Sequence, residues 1–366
     1  MGEALITRRG GGGGYKTGDT VSTENLEPIF SEPTAENYKI ESANVAVSNK
    51  DSAFACAVAI SNSIVAYVES YSSAYLRFFD MNSGKSNSQI SLSSVGSSIK
   101  QMVFDGDDSI YILSSKCKLG KVSVSAKSLV WSVSLPSFVG ESESNYSGGT
   151  LCVYNGMIYV AGNRSSSYPN IDLFSVLPSG AYSKVKRTAL YNEAYGIYVS
   201  GNRLLVVSCH STENEGDMTI DYFNLTTLNK IETVTAYYPV EQVYFYKNVF
   251  YTIHTDQSSD YAYLCKYNAS TGALIVDAVY GGLYNAPSIY LAGIWDNILI
   301  LTREEDGADV LFIDSNLSNE TDLNNMYGEL AFDGVYGNGF TTSTAFELPT
   351  ITRITGEITG YQVLKV

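Results

Sequence analysis

The chain has 366 residues, a formal charge of -15 and 45% hydrophobic residues. The acidic balance argues against a nucleic-acid surface, which needs clustered Lys and Arg, and no run of 18 or more apolar residues offers a membrane-spanning helix. The 29 Tyr, with abundant Ser, Thr, Val, Asn and Gly, point to an all-β chain, because β-branched and aromatic side chains suit strands while Asn and Gly suit tight turns.

Residues 1–20 begin MGEALITRRGGGGG. Leu5-Ile6 is too short for the apolar core of a signal peptide, and Ile6 stands where a myristoylation site needs Ser or Thr. Five successive glycines, Gly10 to Gly14, lose too much backbone entropy to sit inside a helix or strand. This segment is therefore an arm. Residues 21–52 carry Glu24, Glu27, Glu32, Glu36 and Glu41 with Pro28 and Pro33, the composition of an acidic linker, and Asn44-Val45-Ala46-Val47 is a candidate extra strand at an edge.

From residue 53 a repeat takes over. A turn residue is followed by a short apolar run that starts at Ile64, Ile110, Ile158, Leu204, Phe250, Leu299 and Phe340, with gaps of 46, 48, 46, 46, 49 and 41. Each run is preceded by one strand-like segment and followed by two more. Four strands per unit, seven times over, predict a seven-bladed β-propeller spanning residues 53–366. A linear array of hairpins has the same pattern but leaves its unit edges open, which the closed ring avoids. Two packed β-sandwiches are the other arrangement compatible with the strand count. The last unit is expected to supply its own fourth strand up to Val366, so that the ring closes without borrowing one. In the sixth unit a weak NETDL segment is expected as the fourth strand.

The five cysteines, at 56, 117, 152, 209 and 265, have no C-x-x-C spacing, so no zinc or redox pair is expected. They read as small buried hydrophobes. His210 and His254 are the only histidines; both end a second strand and point to the same side, and they read as structural rather than as metal ligands. No G-x-S-x-G elbow, phosphate-cradling loop or sialidase box occurs, and no cofactor is expected.

In a propeller the turns between strands one and two, and between three and four, share one face; the turns between two and three share the other with the links between units. On the second face fall Glu213, Glu215 and Asp217, then Asp256 and Asp260, then Glu304, Glu305, Asp306 and Asp309. Carboxylates from several loops can hold a calcium ion or a cationic partner; the same residues also suit solvated hairpin tips. Tyr238 and Tyr284 lie on aromatic-rich links of this face, where Tyr can stack on sugar rings and bond hydroxyls. The candidate ligand-binding set is Tyr238, Tyr284, Glu213, Asp217, Asp256 and Asp306.

Two resemblances add to this. Gly120-Lys121-Val122-Ser123-Val124 followed by Ser128-Leu129-Val130-Trp131-Ser132-Val133 is similar to the quinoprotein-type propeller repeat. Its Trp recurs in no other unit at that place, so only the architecture carries over. Ala4-Leu5-Ile6-Thr7-Arg8-Arg9-Gly10-Gly11 resembles the N-terminal start of many virion proteins, tail or fibre, of phages and prophages of Gram-positive bacteria. That resemblance implies a particle anchor made of Leu5, Ile6, Arg8, Arg9, Gly10 and Gly11. It further implies a non-enzymatic structural protein assembled in the bacterial cytoplasm, located in the virion and present in one or several copies. Its partners are then other virion proteins and a host-surface glycan or protein, with no nucleic acid and no membrane. A soluble or cell-surface interaction module unrelated to phage is the alternative, and a glycan-acting propeller enzyme the third.

Overall fold

The computed structural model describes residues 38–48, 53–61, 64–70, 74–80, 85–135, 146–164, 170–187, 192–210, 218–236, 240–256, 261–280, 289–295, 298–304, 308–314, 327–330, 334–336, 340–341, 345–352 and 357–365. Every regular element among them is a β-strand. One strand precedes the repeat, β1 (Tyr38–Ser48). The first sheet then runs β2 (Ala53–Ala59), β3 (Ile64–Ser70), β4 (Ala74–Asp80), β5 (Lys85–Ser91). The second is β6 (Ile99–Phe104), β7 (Ser109–Ser114), β8 (Lys118–Ser123), β9 (Ser128–Ser134), and the third β10 (Tyr146–Tyr154), β11 (Met157–Arg164), β12 (Ile171–Val176), β13 (Tyr182–Arg187). The fourth is β14 (Asn192–Ser200), β15 (Arg203–His210), β16 (Met218–Asn224), β17 (Lys230–Ala236), and the fifth β18 (Gln242–Tyr246), β19 (Val249–Asp256), β20 (Tyr261–Asn268), β21 (Leu274–Tyr280). The sixth is β22 (Ile289–Trp295), β23 (Ile298–Glu304), β24 (Ala308–Asp314), β25 (Tyr327–Leu330). The last contains β26 (Gly334–Tyr336), β27 (Phe340–Thr341), β28 (Ala345–Thr352) and β29 (Glu357–Lys365). Among the described residues neighbouring strands pair antiparallel throughout and form seven sheets.

The second strand of each sheet explains the apolar runs in the sequence. Side chains alternate across a strand, and these strands lie between two other sheets. In β7, Ile110 and Ile112 pack toward the first sheet while Tyr111 and Leu113 pack toward the third. In β11, Ile158 and Val160 face one way and Tyr159 and Ala161 the other; in β15, Leu204 and Val206 oppose Leu205, Val207 and Cys209. Both faces are buried, so the strand is hydrophobic at nearly every position. The fourth strands are the opposite. In β17 Lys230, Ile231, Glu232 and Thr233 are all exposed, as suits an outer edge. First strands approach one another closely. At Gly196 a Cβ would lie 2.7 Å from the Phe245 ring, so a side chain there would drive the fourth and fifth sheets apart.

Side chains also lock adjacent sheets together. Gln101 Oε1 accepts from the Leu151 N–H at 2.7 Å and the Thr150 hydroxyl at 3.1 Å. Asn163 bonds both sides of one peptide residue, accepting from Ala194 N–H at 2.8 Å and donating to Ala194 O at 3.1 Å. Trp131, from the quinoprotein-like segment, donates from Nε1 to Pro178 O of the next sheet at 3.0 Å. One inter-sheet docking contact of a tryptophan is therefore present. Cys117, Cys209 and Cys265 are buried and Cys152 is half-buried, and none of these four is in a disulfide. Burial pushes the Cys117 thiol up to about 12, and it donates to Gly148 O at 3.3 Å.

The last sheet departs from the sequence reading in three ways. Its second strand is β28, not the run beginning at Phe340. β26 and β27 both pair with β28 and together make an interrupted first strand. β23 begins at Ile298 and β28 at Ala345, a spacing of 47 in place of 41. The run at Phe340 belongs to the first strand of this sheet, which makes the last spacing in the sequence short. Next, β25 closes the sixth sheet, pairing Leu311 with Tyr327; the expected NETDL segment lies outside the described residues. Finally, the last sheet does borrow a strand. β1 pairs antiparallel with β29, from Tyr38 opposite Lys365 to Ser48 opposite Glu357. The candidate strand at residues 44–47 lies within β1. β29 takes the third position of its sheet and β1 the outer fourth, where β1 touches β5 of the first sheet.

Candidate functional site

The first face, made by the one–two and three–four turns, is described in the second to fifth sheets. Their three–four turns share one geometry. The third strand ends in a side-chain acceptor at Asn224 and Asn268: Asn224 Oδ1 takes the N–H groups of Thr226 and Thr227, and Asn268 Oδ1 those of Ser270 and Thr271. In these four sheets a left-handed residue stands four places after the end of the third strand: Lys127, Gly180, Leu228 or Gly272. A register shift follows, as expected for a turn that ends in a bulge. The one–two turns are tied to these. The carbonyls of Asp108, Asn202 and Asn248 accept from the N–H groups of Val124, Leu225 and Ala269 at 2.8, 3.1 and 2.9 Å.

Between the fourth and fifth sheets these turns enclose a groove of about 560 Å³. Its walls are Ser200, Asn202 and Arg203 from one turn, Glu232 from β17, and Ser270 and Thr271 from the next sheet, with Gly201 between. Arg203 pairs with Glu232 and lies over the Tyr222 ring, 5.6 Å from its centroid. Tyr222 is fully buried and its hydroxyl donates to Ala269 O at 3.1 Å across the two sheets. Desolvation pushes its phenol up to about 12. Ser270 donates to Asn248 Oδ1 at 2.6 Å, and the Ser200 and Ser270 hydroxyls are 3.0 Å apart. Tyr198 stacks on Phe245 (centroids 4.9 Å, 7° between planes) and donates to Lys247 O at 2.8 Å. The groove therefore has a braced floor and polar, partly exposed walls.

The second face carries most of the residues singled out in the sequence. Tyr238, Tyr284, Glu213, Asp217 and Asp306 lie outside the described residues. Asp256 is the last residue of β19, opposite Tyr261 at the start of β20, which puts it beside a two–three turn. The anchoring residues Leu5, Ile6, Arg8, Arg9, Gly10 and Gly11 also lie outside the described residues. His210 ends β15 opposite Asn192. His254 stacks on Tyr263 (centroids 6.1 Å), with Nδ1 3.6 Å from Glu241 Oε1, a position held by packing and one carboxylate. Among the described residues no three His, Cys, Asp or Glu side chains converge as a metal site. The groove escaped the sequence reading because its residues come from turns on the other face. Its only sequence signals are the polar pairs Asn202-Arg203 and Ser270-Thr271.

No family model matches the chain, and no curated protein matches it in sequence. Solved structures do match in fold. The chain is similar to the WD40 β-propeller domain of Doa1, with a TM-score of 0.55 and 12% identity over 88% of this chain and 96% of that one. It is also similar to the WD40 domain of Pan2 from Neurospora crassa, with a TM-score of 0.57 and 12% identity over 90% and 97%. The fold is an all-β propeller, similar to these two domains.

Proposed function

We propose that the chain is a non-enzymatic interaction module displayed on a phage or prophage-derived particle, as a tail fibre or similar appendage. A seven-bladed propeller binds a host-surface glycan or protein, and the arm holding Leu5, Ile6, Arg8, Arg9, Gly10 and Gly11 docks into other virion proteins. The observation that carries this reading is the place of β1. As the outer strand of the last sheet, it puts the junction with residues 1–37 at the rim of the ring. The junction lies opposite the end of β29, where a three–four turn would stand, at the outer edge of the first face. Its 37 residues reach at most about 130 Å when extended, enough to hold the ring clear of a particle. Leu5 and Ile6 suit an apolar pocket, and Arg8 and Arg9 suit carboxylates.

The test is incorporation. Mass spectrometry of purified particles should find the full chain and should miss a chain lacking residues 1–14, although that chain stays folded. Arg8→Glu with Arg9→Glu should also be lost. Particles that keep the truncated chain would sink the anchor and leave an interaction module unrelated to phage.

A further inference from the structure

The groove between the fourth and fifth sheets has the chemistry of a neutral sugar site, and we propose that it binds a short uncharged oligosaccharide. Three observations carry this. The first is the lining. Ser200, Asn202, Ser270 and Thr271 each combine a donor with an acceptor, and the Arg203 fork sits beside the Glu232 carboxylate. Vicinal hydroxyls donate and accept at once, so a wall of mixed groups matches them, whereas a peptide hot spot is built on a desolvated Trp, Tyr or Arg anchor. The walls supply no exposed aromatic anchor, because the Tyr222 ring beneath is fully buried and capped by Arg203, and Arg203 itself is already paired with Glu232.

The second observation is charge. Arg203 and Glu232 balance one another within the groove, and the whole chain carries -15. An anionic ligand would have to displace Glu232 against that field, and a cationic one would meet Arg203. A neutral ligand leaves the pair intact. The third is preorganisation. The Asn268 cap, the Ser270–Asn248 bond and the Tyr222–Ala269 bond fix both walls before any ligand arrives, which lowers the ordering cost of binding. At about 560 Å³ the space is in the ordinary range for small-ligand sites. The proposal names a site on the first face, away from Tyr238 and Tyr284, and it does not depend on the particle anchor.

The experiment uses the purified full chain on an array of neutral and acidic oligosaccharides, followed by titration calorimetry with the best neutral trisaccharide. Asn202→Ala and Thr271→Ala, both at exposed positions, should each weaken binding about tenfold. Asn202→Ala should leave the melting temperature in place, and Thr271→Ala should lower it only slightly, through the bond that Thr271 Oγ1 accepts from the Ala273 N–H. Asp107→Ala, on an exposed turn of the second sheet, should leave affinity unchanged. Arg203→Lys keeps the charge but loses the fork, and it should also weaken binding. Retention of acidic glycans alone, of no glycan at all, or of a peptide that competes through Asn202 and Thr271 overturns the proposal. So does a neutral sugar whose affinity ignores both alanine variants. Particle incorporation is read in a separate assay, so either reading can fail alone.

Discussion

Lys127, Gly180, Leu228 and Gly272 fill the same left-handed slot in four consecutive sheets, with φ of 49°, 89°, 55° and 69°. A side chain in this region costs about 1–2 kcal/mol, so the outcome of changing each residue depends on what its side chain does. Lys127 is exposed; Lys127→Gly should relieve strain and raise stability by up to about 1 kcal/mol, after the entropy glycine gives back to the unfolded chain. Leu228 is fully buried in the core between the third and fourth sheets. Leu228→Gly should therefore destabilise, because losing a buried leucine costs about 2–5 kcal/mol, more than the strain released. Gly272→Ala gains strain and places a Cβ 3.1 Å from Val234 Cγ2 and 3.3 Å from the Tyr222 hydroxyl. It should lose about 2 kcal/mol or more. Denaturant midpoints of the three variants check the signs. A Lys127→Gly protein less stable than the parent would mean the slot is not strained.

At the scale of elements, sheets are joined by apolar packing and by a few amide bridges, and the two differ in what a sequence reveals. The runs at Ile110, Ile158 and Leu204 stood out because a strand between two sheets must be apolar on both sides. The bridges at Gln101 and Asn163 left no such trace, since one polar residue in a strand looks like any other until its partner, 31 to 50 residues on, is in place. The groove was hidden for a related reason. It is assembled from residues 200–203, 232 and 270–271, segments that only the stacking of two sheets brings together. Asn163 offers a direct test of the bridge. It is 8% exposed and serves both the N–H and the C=O of Ala194. Asn163→Leu should strand two backbone groups and cost about 2–4 kcal/mol. Asn163→Asp keeps the acceptor but sets a carboxylate against Ala194 O, and it should also destabilise. Thermal or chemical unfolding reads both; a neutral Asn163→Leu would show that the bridge adds nothing to how the sheets dock.

At the scale of the whole molecule, the decisive contact joins strands at opposite ends of the chain. Periodicity cannot reveal it, because β1 stands outside the repeat and its partner β29 begins more than 300 residues later. The acidic, proline-bearing stretch around it reads as a linker on composition alone. The pairing makes a strong prediction about truncation. Removing residues 1–37 leaves β1 whole and should leave the melting temperature unchanged. Removing residues 1–48 strips the outer strand from the last sheet, bares the β29 edge and frees the contact between β1 and β5. That protein should melt several degrees lower or aggregate. A cross-link gives the converse. Glu41 and Gln362 are opposite one another in the ladder, where Cα atoms are about 4.5–5.5 Å apart, a separation a disulfide can bridge. Glu41→Cys with Gln362→Cys should oxidise in the folded state and raise stability by up to about 5 kcal/mol, since the bond closes a loop of nearly the whole chain. If the shorter truncation and the longer one melt alike, and the cysteine pair stays reduced under mild oxidant, β1 does not close the ring.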